Sequence, residues 1–187
     1  MGDQHWFYRS EEDWVAFVER LKQTSCPHCK IVGTLIRHGV LTGFDDSNPQ
    51  RQAIRARRIF CSNRYRRRGC GRTFSVWLAH TIRRQSLSAR TLWWFLQRAV
   101  TGSIAAAIRT TNCRRSERTF QRIWKRFDRA QSAIRTALLG RGPPPAFAAE
   151  PFHRPVAAQV LAHLQATFPS DDCPIAAFQQ AMQVFFI

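Results

Sequence analysis

The sequence has no aspartate or glutamate between residues 47 and 116. Sixteen arginines lie in the same window, and arginine supplies 26 of the 29 basic residues of a chain whose net charge is +17. A surface of one charge sign repels itself, so it is useful mainly where a polyanion neutralises it. A GC-rich genome would explain arginine in place of lysine, but it would not explain the missing carboxylates. The composition therefore favours nucleic acid as the partner.

Two further absences exclude other classes of protein. No run of about eighteen apolar residues occurs, so we expect neither a transmembrane helix nor a membrane partner. The first residues, MGDQHWFYRSEEDW, lack the charged-then-apolar order of a secretory signal. We therefore expect a cytoplasmic, nucleoid-associated protein whose six cysteines stay reduced.

Four of these cysteines have the spacing of a metal site. Cys26-Pro-His-Cys29 is a CxxC turn, in which backbone N–H groups point at two thiolates that reach one ion. Cys61 and Cys70 would supply the second pair, but eight residues separate them, so the loop of residues 62–69 has to bulge outward. We predict a structural zinc site with these four cysteines as ligands.

Other ligand sets and the remaining cysteines complete this prediction. In the alternative site one histidine replaces a cysteine, and the candidates are His28, His38 and His80. A redox role for the CxxC pair would need a thioredoxin-like context, which does not follow it. Cys113 and Cys173 have no partners at metal spacing and are predicted to be buried thiols.

The chain divides into five predicted segments. Residues 1–25 contain an amphipathic helix over about 11–23, in which Ser10 is the N-cap. Residues 26–80 form the zinc ribbon, with β-like runs IVGTLIRHG, ARRIF and TFSVW. Residues 86–140 form a helix-turn-helix, residues 141–155 a proline-rich linker and residues 156–187 a helical tail.

The helix-turn-helix prediction depends on three serines and one amphipathic helix. Ser88, Ser103 and Ser116 are candidate N-caps of three successive helices, and Gly102 ends the first. The third helix has an apolar stripe formed by Phe120, Ile123, Trp124 and Phe127. Its opposite face carries Arg115, Arg118, Thr119, Gln121, Arg122, Lys125 and Arg126. A recognition helix has this division, although a solvated basic helix is the alternative.

Together, the pieces CPHC, IRHG, CGRTFS and SIAAAIR…SERTFQRIWKRF resemble the N-terminal zinc-ribbon and helix-turn-helix region of insertion-sequence transposases and their small accessory proteins. The resemblance covers about residues 26–127. It implies that Cys26, Cys29, Cys61 and Cys70 are the zinc ligands and that Arg118, Gln121 and Arg122 lie on the recognition face. The eight-residue gap departs from the family pattern.

The catalytic half of such a transposase is not recognisable in this chain. A nuclease of that kind needs three carboxylates on a βαβ core. After Glu117 the acidic residues are Asp128, Glu150, Asp171 and Asp172, with no strand pattern among them. We therefore expect no enzymatic activity. A minimal nuclease that uses Asp45 and Asp46 is the enzymatic alternative, but this pair is more typical of a turn.

These observations predict a zinc-stabilised accessory or regulatory DNA-binding protein of a transposase-like system. Its predicted fold is a small α+β zinc ribbon of β-hairpins followed by an all-α helix-turn-helix, mostly helical overall. The alternatives are an RNA-binding zinc ribbon and a host transcription factor derived from a mobile element. The C-terminal helices would pack on the chain itself, or bind a transposase or a second copy.

The expected nucleic acid is double-stranded DNA. The predicted DNA contacts are Arg55, Arg57, Arg58, Arg64, Arg66, Arg67, Arg68, Arg72, Arg115, Arg118, Gln121, Arg122 and Lys125.

Overall fold

The computed structural model describes residues 6–44, 52–111, 113, 115–148 and 152–187. It has a four-stranded sheet and six helices, which confirms the expected mixture of α and β structure. The Asp45–Asp46 pair of the predicted turn lies outside the described residues. In the described part of the chain, no helix is both long and apolar enough to cross a membrane.

The sheet has the strand order β1-β4-β3-β2. Strands β2 (Leu35–Phe44), β3 (Gln52–Cys61) and β4 (Thr73–Leu78) form an antiparallel meander, and β1 (Phe7–Tyr8) pairs in parallel with β4. The three predicted β-like runs fall on or beside the meander strands. The pairing of β1 was not predicted, because two residues give no periodic signal.

The helices begin at the residues that the capping pattern predicts. Side-chain oxygens of Ser10, Ser88, Ser103 and Ser116 accept backbone N–H bonds at the starts of α1 (Glu11–Glu19), α2 (Ala89–Thr101), α3 (Ile104–Thr110) and α4 (Glu117–Leu139). Helix α1 ends four residues before the predicted boundary, and Gly102 ends α2 as expected. The last two helices are α5 (Pro155–Thr167) and α6 (Pro174–Met182).

Two apolar clusters hold these elements together. The sheet core consists of Tyr8, Trp14, Phe17, Leu21, Cys26, Leu35, Ile59, Cys61 and Val76. The helical core contains buried side chains from α2, α3, α4, α5 and α6, together with Phe7 and Ala79 from the sheet end. Strands β1 and β4 therefore connect the two cores, since neighbouring residues on them point to opposite faces.

The C-terminal helices pack on the chain itself. Val160, Leu161 and Leu164 of α5 and Ile175 and Phe178 of α6 are almost fully buried in the helical core. Most apolar side chains of α5 and α6 are thus covered by the chain itself, whereas Val156 is exposed. The same packing orders the end of the chain next to α4, because Phe186 stacks on Phe127 at 5.9 Å between ring centroids.

Candidate metal centre and basic groove

Four thiols converge at one end of the sheet. The Sγ atoms of Cys26, Cys29, Cys61 and Cys70 all lie within 4.8 Å of one another, so this group can hold a metal ion. The Cys26–Cys70 and Cys29–Cys61 sulfur separations are 3.8 and 3.7 Å. A disulfide bond is about 2.05 Å long, so no disulfide bond joins these four cysteines.

The first pair lies in a tight turn between α1 and β2. The N–H of Lys30 donates to the carbonyl of Cys26 at 2.8 Å, and the N–H of Cys26 donates to the carbonyl of Ile31 at 3.0 Å. Lys30 adopts a left-handed backbone conformation with φ of 63°. The N–H of His28 points at Sγ of Cys26 at 3.4 Å. Such N–H contacts stabilise thiolate charge around a bound cation.

The second pair is brought together by a narrow backbone neck. The N–H of Gly71 donates to the carbonyl of Cys61 at 2.9 Å, and the N–H of Cys61 donates to the carbonyl of Arg72 at 2.9 Å. The N–H of Gly69 donates to the carbonyl of Ser62 at 3.2 Å. The residues between Cys61 and Cys70 therefore project from the β3–β4 pair as a separate loop, as the long spacing predicts. The N–H of Cys70 also points at Sγ of Cys61 at 3.2 Å.

The two thiols of the first turn have pKa values shifted in opposite directions. Burial raises the pKa of Cys26 to about 12, although nearby backbone N–H groups oppose the shift. A backbone hydrogen bond from Ile31 is the main cause that lowers the pKa of Cys29 to about 7. A metal ion has to displace the Cys26 proton, so binding releases protons and weakens as the pH falls.

Among the described residues, the ligand atoms that converge belong to the four cysteines, and none of the three candidate histidines joins them. His28 is exposed and lies 6.4 Å from the Phe74 ring, and His38 packs at 5.4 Å against Phe60. His80 lies beyond the other end of β4, where burial lowers its pKa. The four-cysteine set is therefore the one that the geometry brings together.

Gly69 is a sensitive position of the neck. A Cβ at this residue would overlap the carbonyl group of Ser62 and crowd the backbone of Cys61. We expect Gly69→Ala to lower the free energy of unfolding by about 1–3 kcal/mol and to weaken metal binding, since the neck must open to relieve the overlap. Urea denaturation and competition with a chelator would measure the two effects. Gly142→Ala is the matched control, because a Cβ there has open space; equal effects of both substitutions would contradict this role.

The loop beyond the neck is exposed. Residues 63–68, called here the projecting loop, are all exposed to solvent, and they include the predicted contacts Arg64, Arg66, Arg67 and Arg68. The Arg64 guanidinium lies 5.6 Å from the ring centroid of Phe60 at the base of the loop. Arg72 is exposed on the neck itself. The loop therefore presents four guanidinium groups beside the four converging thiols.

The predicted arginine contacts on β3 are more enclosed. Arg55 donates to the carbonyls of Phe44, Ile82 and Gln85. Arg57 forms an ion pair with Glu11 at 2.5 Å and lies 4.9 Å from the Trp14 ring centroid. Both guanidinium groups thus connect elements of the fold, whereas Arg58 is half-buried.

The polar face of α4 is open, as its stripe predicts. Phe120, Ile123 and Phe127 are buried, and Trp124 is half-buried under the guanidinium of Arg154. The opposite face leaves Arg118, Gln121, Arg122 and Lys125 exposed. Gln121 donates to the carboxylate of Glu117 at 3.1 Å. Arg115 is half-buried and donates to the Ser86 carbonyl at 3.4 Å.

A concave surface of about 600 Å³ lies between α4 and the segment that follows β4. We call it the basic groove; it is lined by Arg84, Gln85, Thr119, Arg122, Lys125, Arg126 and Arg129. Arg83 and Phe185 lie in an adjoining depression of about 440 Å³ that shares Arg84, Arg126 and Arg129. None of the lining residues in the described part of the chain is acidic.

The charge of this groove is not neutralised within the described chain. The three ion pairs found among the described residues use Arg9, Arg57 and Arg90, and none includes a residue of the basic groove or of the projecting loop. Arg83, Arg84 and Arg129 were not predicted to take part, whereas Arg126 was predicted on the polar face of the third helix but not among the DNA contacts. Their signal is the basic pair in TIRRQ and the basic spacing in KRFDRA, but only the fold shows that the two segments meet.

No family is shown for this chain: a scan against protein-family models, a comparison with curated proteins and a comparison with solved structures each find no match. The functional assignment therefore depends on the residues of the chain itself.

Proposed function

We propose that this chain is a zinc-stabilised protein that binds double-stranded DNA, with α3 and α4 as a helix-turn-helix. In this proposal it is an accessory or regulatory component of a transposase-like system and has no nuclease site of its own. The observation that carries the proposal is the basic groove beside the exposed face of α4. An uncompensated cationic concavity next to a capped, amphipathic helix is suited to a phosphate backbone and to base edges.

The sulfur geometry supports zinc as the metal. Zn²⁺ bound to four thiolates at about 2.3 Å has sulfur–sulfur separations of about 3.8 Å in a tetrahedron. Two of the sulfur pairs here are 3.7 and 3.8 Å apart, and all four sulfurs lie within 4.8 Å of one another. Magnesium and calcium prefer oxygen ligands instead. Four protein ligands leave no open position for a water molecule, so the proposed role of the ion is structural.

The helix arrangement supports the mode of DNA binding. Helix α3 is short, and the Ser116 cap starts α4, whose 23 residues extend about 34 Å. The N-terminal half of α4 presents Arg118 and Gln121, while its C-terminal half anchors Ile134 and Leu138 in the helical core. In the proposed complex the first turns of α4 contact base edges in the major groove. Arg84, Arg126 and Arg129 then contact phosphates on the flanking strand.

If α4 reads base edges, the affinity of the protein should depend on the DNA sequence, and a substitution on α4 should change that dependence. Arg118 lies one helical turn before Arg122 and outside the basic groove. We expect Arg118→Ala to reduce affinity for a selected DNA site by about 1–3 kcal/mol and to leave affinity for unrelated DNA nearly unchanged, because the side chain would read a base. Site selection from a random duplex library, followed by titration of the preferred and unrelated duplexes, measures this difference.

Arg135→Ala is the matched control, because Arg135 is exposed on the same helix and its replacement removes the same charge. A uniform loss of affinity for all sequences in Arg118→Ala would contradict base reading by α4. Tighter binding of duplex RNA than of duplex DNA by the unaltered protein would favour the RNA-binding alternative and contradict the proposed DNA specificity.

A further inference from the structure

The tip of the projecting loop carries an aromatic side chain that the fold does not use. Tyr65 is 94% exposed, whereas most other aromatic side chains of the described chain lie in or against the two cores. Arg64, Arg66, Arg67 and Arg68 surround it in sequence, and all four are exposed. Burial in a core cannot explain a ring with this exposure. The exposed ring is therefore available to contact a ligand.

The loop is held at its base, so its tip is presented in a restricted orientation. Its two ends join at the neck, where Ser62 accepts from Gly69, and Ser62 donates its own N–H to the Thr34 carbonyl at 2.8 Å. Cys61 and Cys70 belong to the metal centre on either side of that neck. Metal binding would thus fix both ends of the loop and lower the entropy lost when the tip binds a ligand.

The tip itself has an unusual backbone. Tyr65 and Arg66 have φ values of 52° and 62°, in the left-handed region that non-glycine residues seldom adopt. A bond from the Arg67 N–H to the Arg64 carbonyl at 3.1 Å closes this turn. In the sequence, Tyr65 lies between Arg64 and Arg66, and all three side chains are exposed. Conformations of this kind occur often in ligand-binding loops.

An aromatic ring surrounded by arginines has the chemistry to bind single-stranded nucleic acid. The guanidinium groups contact phosphates, and the ring stacks on a base of any sequence. A base inside a paired duplex has both faces covered by its neighbours, whereas an unpaired base exposes a face to the ring. Tyr65 is therefore suited to a DNA segment with unpaired bases.

We propose that the projecting loop is a second nucleic-acid contact, in which Tyr65 stacks on an unpaired DNA base while Arg66, Arg67 and Arg68 hold the adjoining phosphates. This inference depends on the proposed DNA-binding function and extends it. The α4 surface binds the duplex, and the projecting loop makes the protein prefer DNA that has a single-stranded overhang next to the duplex.

The experiment compares two DNA molecules that share one duplex: a blunt form, and a form with a single-stranded overhang that contains 2-aminopurine. We expect the protein to bind the overhang form more tightly and to quench the 2-aminopurine fluorescence, because stacking quenches this base. Tyr65→Ala should reduce affinity for the overhang form by about 5- to 100-fold and abolish the quenching. Affinity for the blunt duplex should change by less than about twofold, since no unpaired base is present.

Two variants serve as controls. Tyr65→Phe should retain affinity and quenching, because the stacking ring remains. Trp94→Ala removes an aromatic side chain on α2 that is 49% exposed and should leave both readouts unchanged. Folding is not at issue for Tyr65→Ala, since the side chain is almost fully exposed, and an unchanged metal content would verify this.

The outcomes separate this inference from the proposed function. Failure of the unaltered protein to bind either DNA would contradict the proposed function itself. Tight blunt-duplex binding with equal losses for both DNA forms in Tyr65→Ala would overturn the stacking inference alone, and would indicate insertion of the ring into the duplex instead. Quenching that persists in Tyr65→Ala would also overturn it.

Discussion

Replacing Cys61 with serine is expected to abolish metal binding and to unfold the sheet core. Cys61 is fully buried there with Cys26, and its Sγ accepts from the Cys70 N–H and lies 3.1 Å from the Thr34 hydroxyl. Structural zinc binding contributes about 10–16 kcal/mol in small zinc domains. The loss of one of four ligands should therefore lower the free energy of unfolding by at least about 5 kcal/mol. Metal analysis by mass spectrometry and thermal denaturation would measure the two effects.

Cys173→Ser is the matched control for this substitution. Cys173 is equally buried but lies in the helical core, away from the four converging thiols. It should keep one metal ion per chain and show only the smaller loss typical of a polar atom in a core. One retained ion per chain in Cys61→Ser would contradict the proposed ligand set, as would a melting temperature of the unaltered protein that does not respond to a strong chelator.

Neutralising the basic groove is expected to weaken binding to every DNA sequence. In the triple variant Arg84→Gln, Arg126→Gln and Arg129→Gln, three lining charges are lost. Each phosphate contact contributes a slope of about 0.9 in log K against log salt, so the slope should fall by about 2.7. If the variant and the unaltered protein bind DNA equally at 1 M salt, this difference in slope lowers the affinity of the variant on the order of 100-fold at physiological salt. Titrations of two unrelated duplexes across a range of salt concentrations would measure the slope and the affinity.

The control for the groove has the same net charge. Arg20, Arg37 and Arg135 are exposed and lie outside the groove lining, so their joint replacement by glutamine removes three charges elsewhere. For this control we expect the slope of log K against log salt to change by less than about 0.9, the contribution of one phosphate contact. If both triple variants lost affinity and slope equally, the effect would come from the total charge and not from the groove.

The parts of the fold that local chemistry determines were predictable from the sequence. Ser10, Ser88, Ser103 and Ser116 are N-caps, because a side-chain oxygen needs only the next turn of backbone to act. The cysteines that converge were also identifiable, since CxxC is a local turn and the remaining ligand candidates were few. The outward loop between Cys61 and Cys70 followed from the requirement that two thiols reach one ion.

The sequence does not predict which distant segments of the chain meet in the fold. Arg83 and Arg84 follow β4, whereas Arg126 and Arg129 lie on α4 about 40 residues later, and periodicity within either segment says nothing about their meeting. The inward roles of Arg55 and Arg57 were missed for a related reason. Basic residues on a strand look alike until the facing element is known, and here Glu11 at the start of α1 pairs with Arg57.

The Ser62–Gly69 neck has a consequence for how this molecule can vary. Because the two ends of the projecting loop already meet in backbone hydrogen bonds, we expect the length and composition of residues 63–68 to have little effect on the positions of the four thiols. A different peptide could therefore replace residues 63–68 without changes to the fold that supports the loop. The proposed ligand preference of the loop could then change while the stability of the protein stays nearly the same.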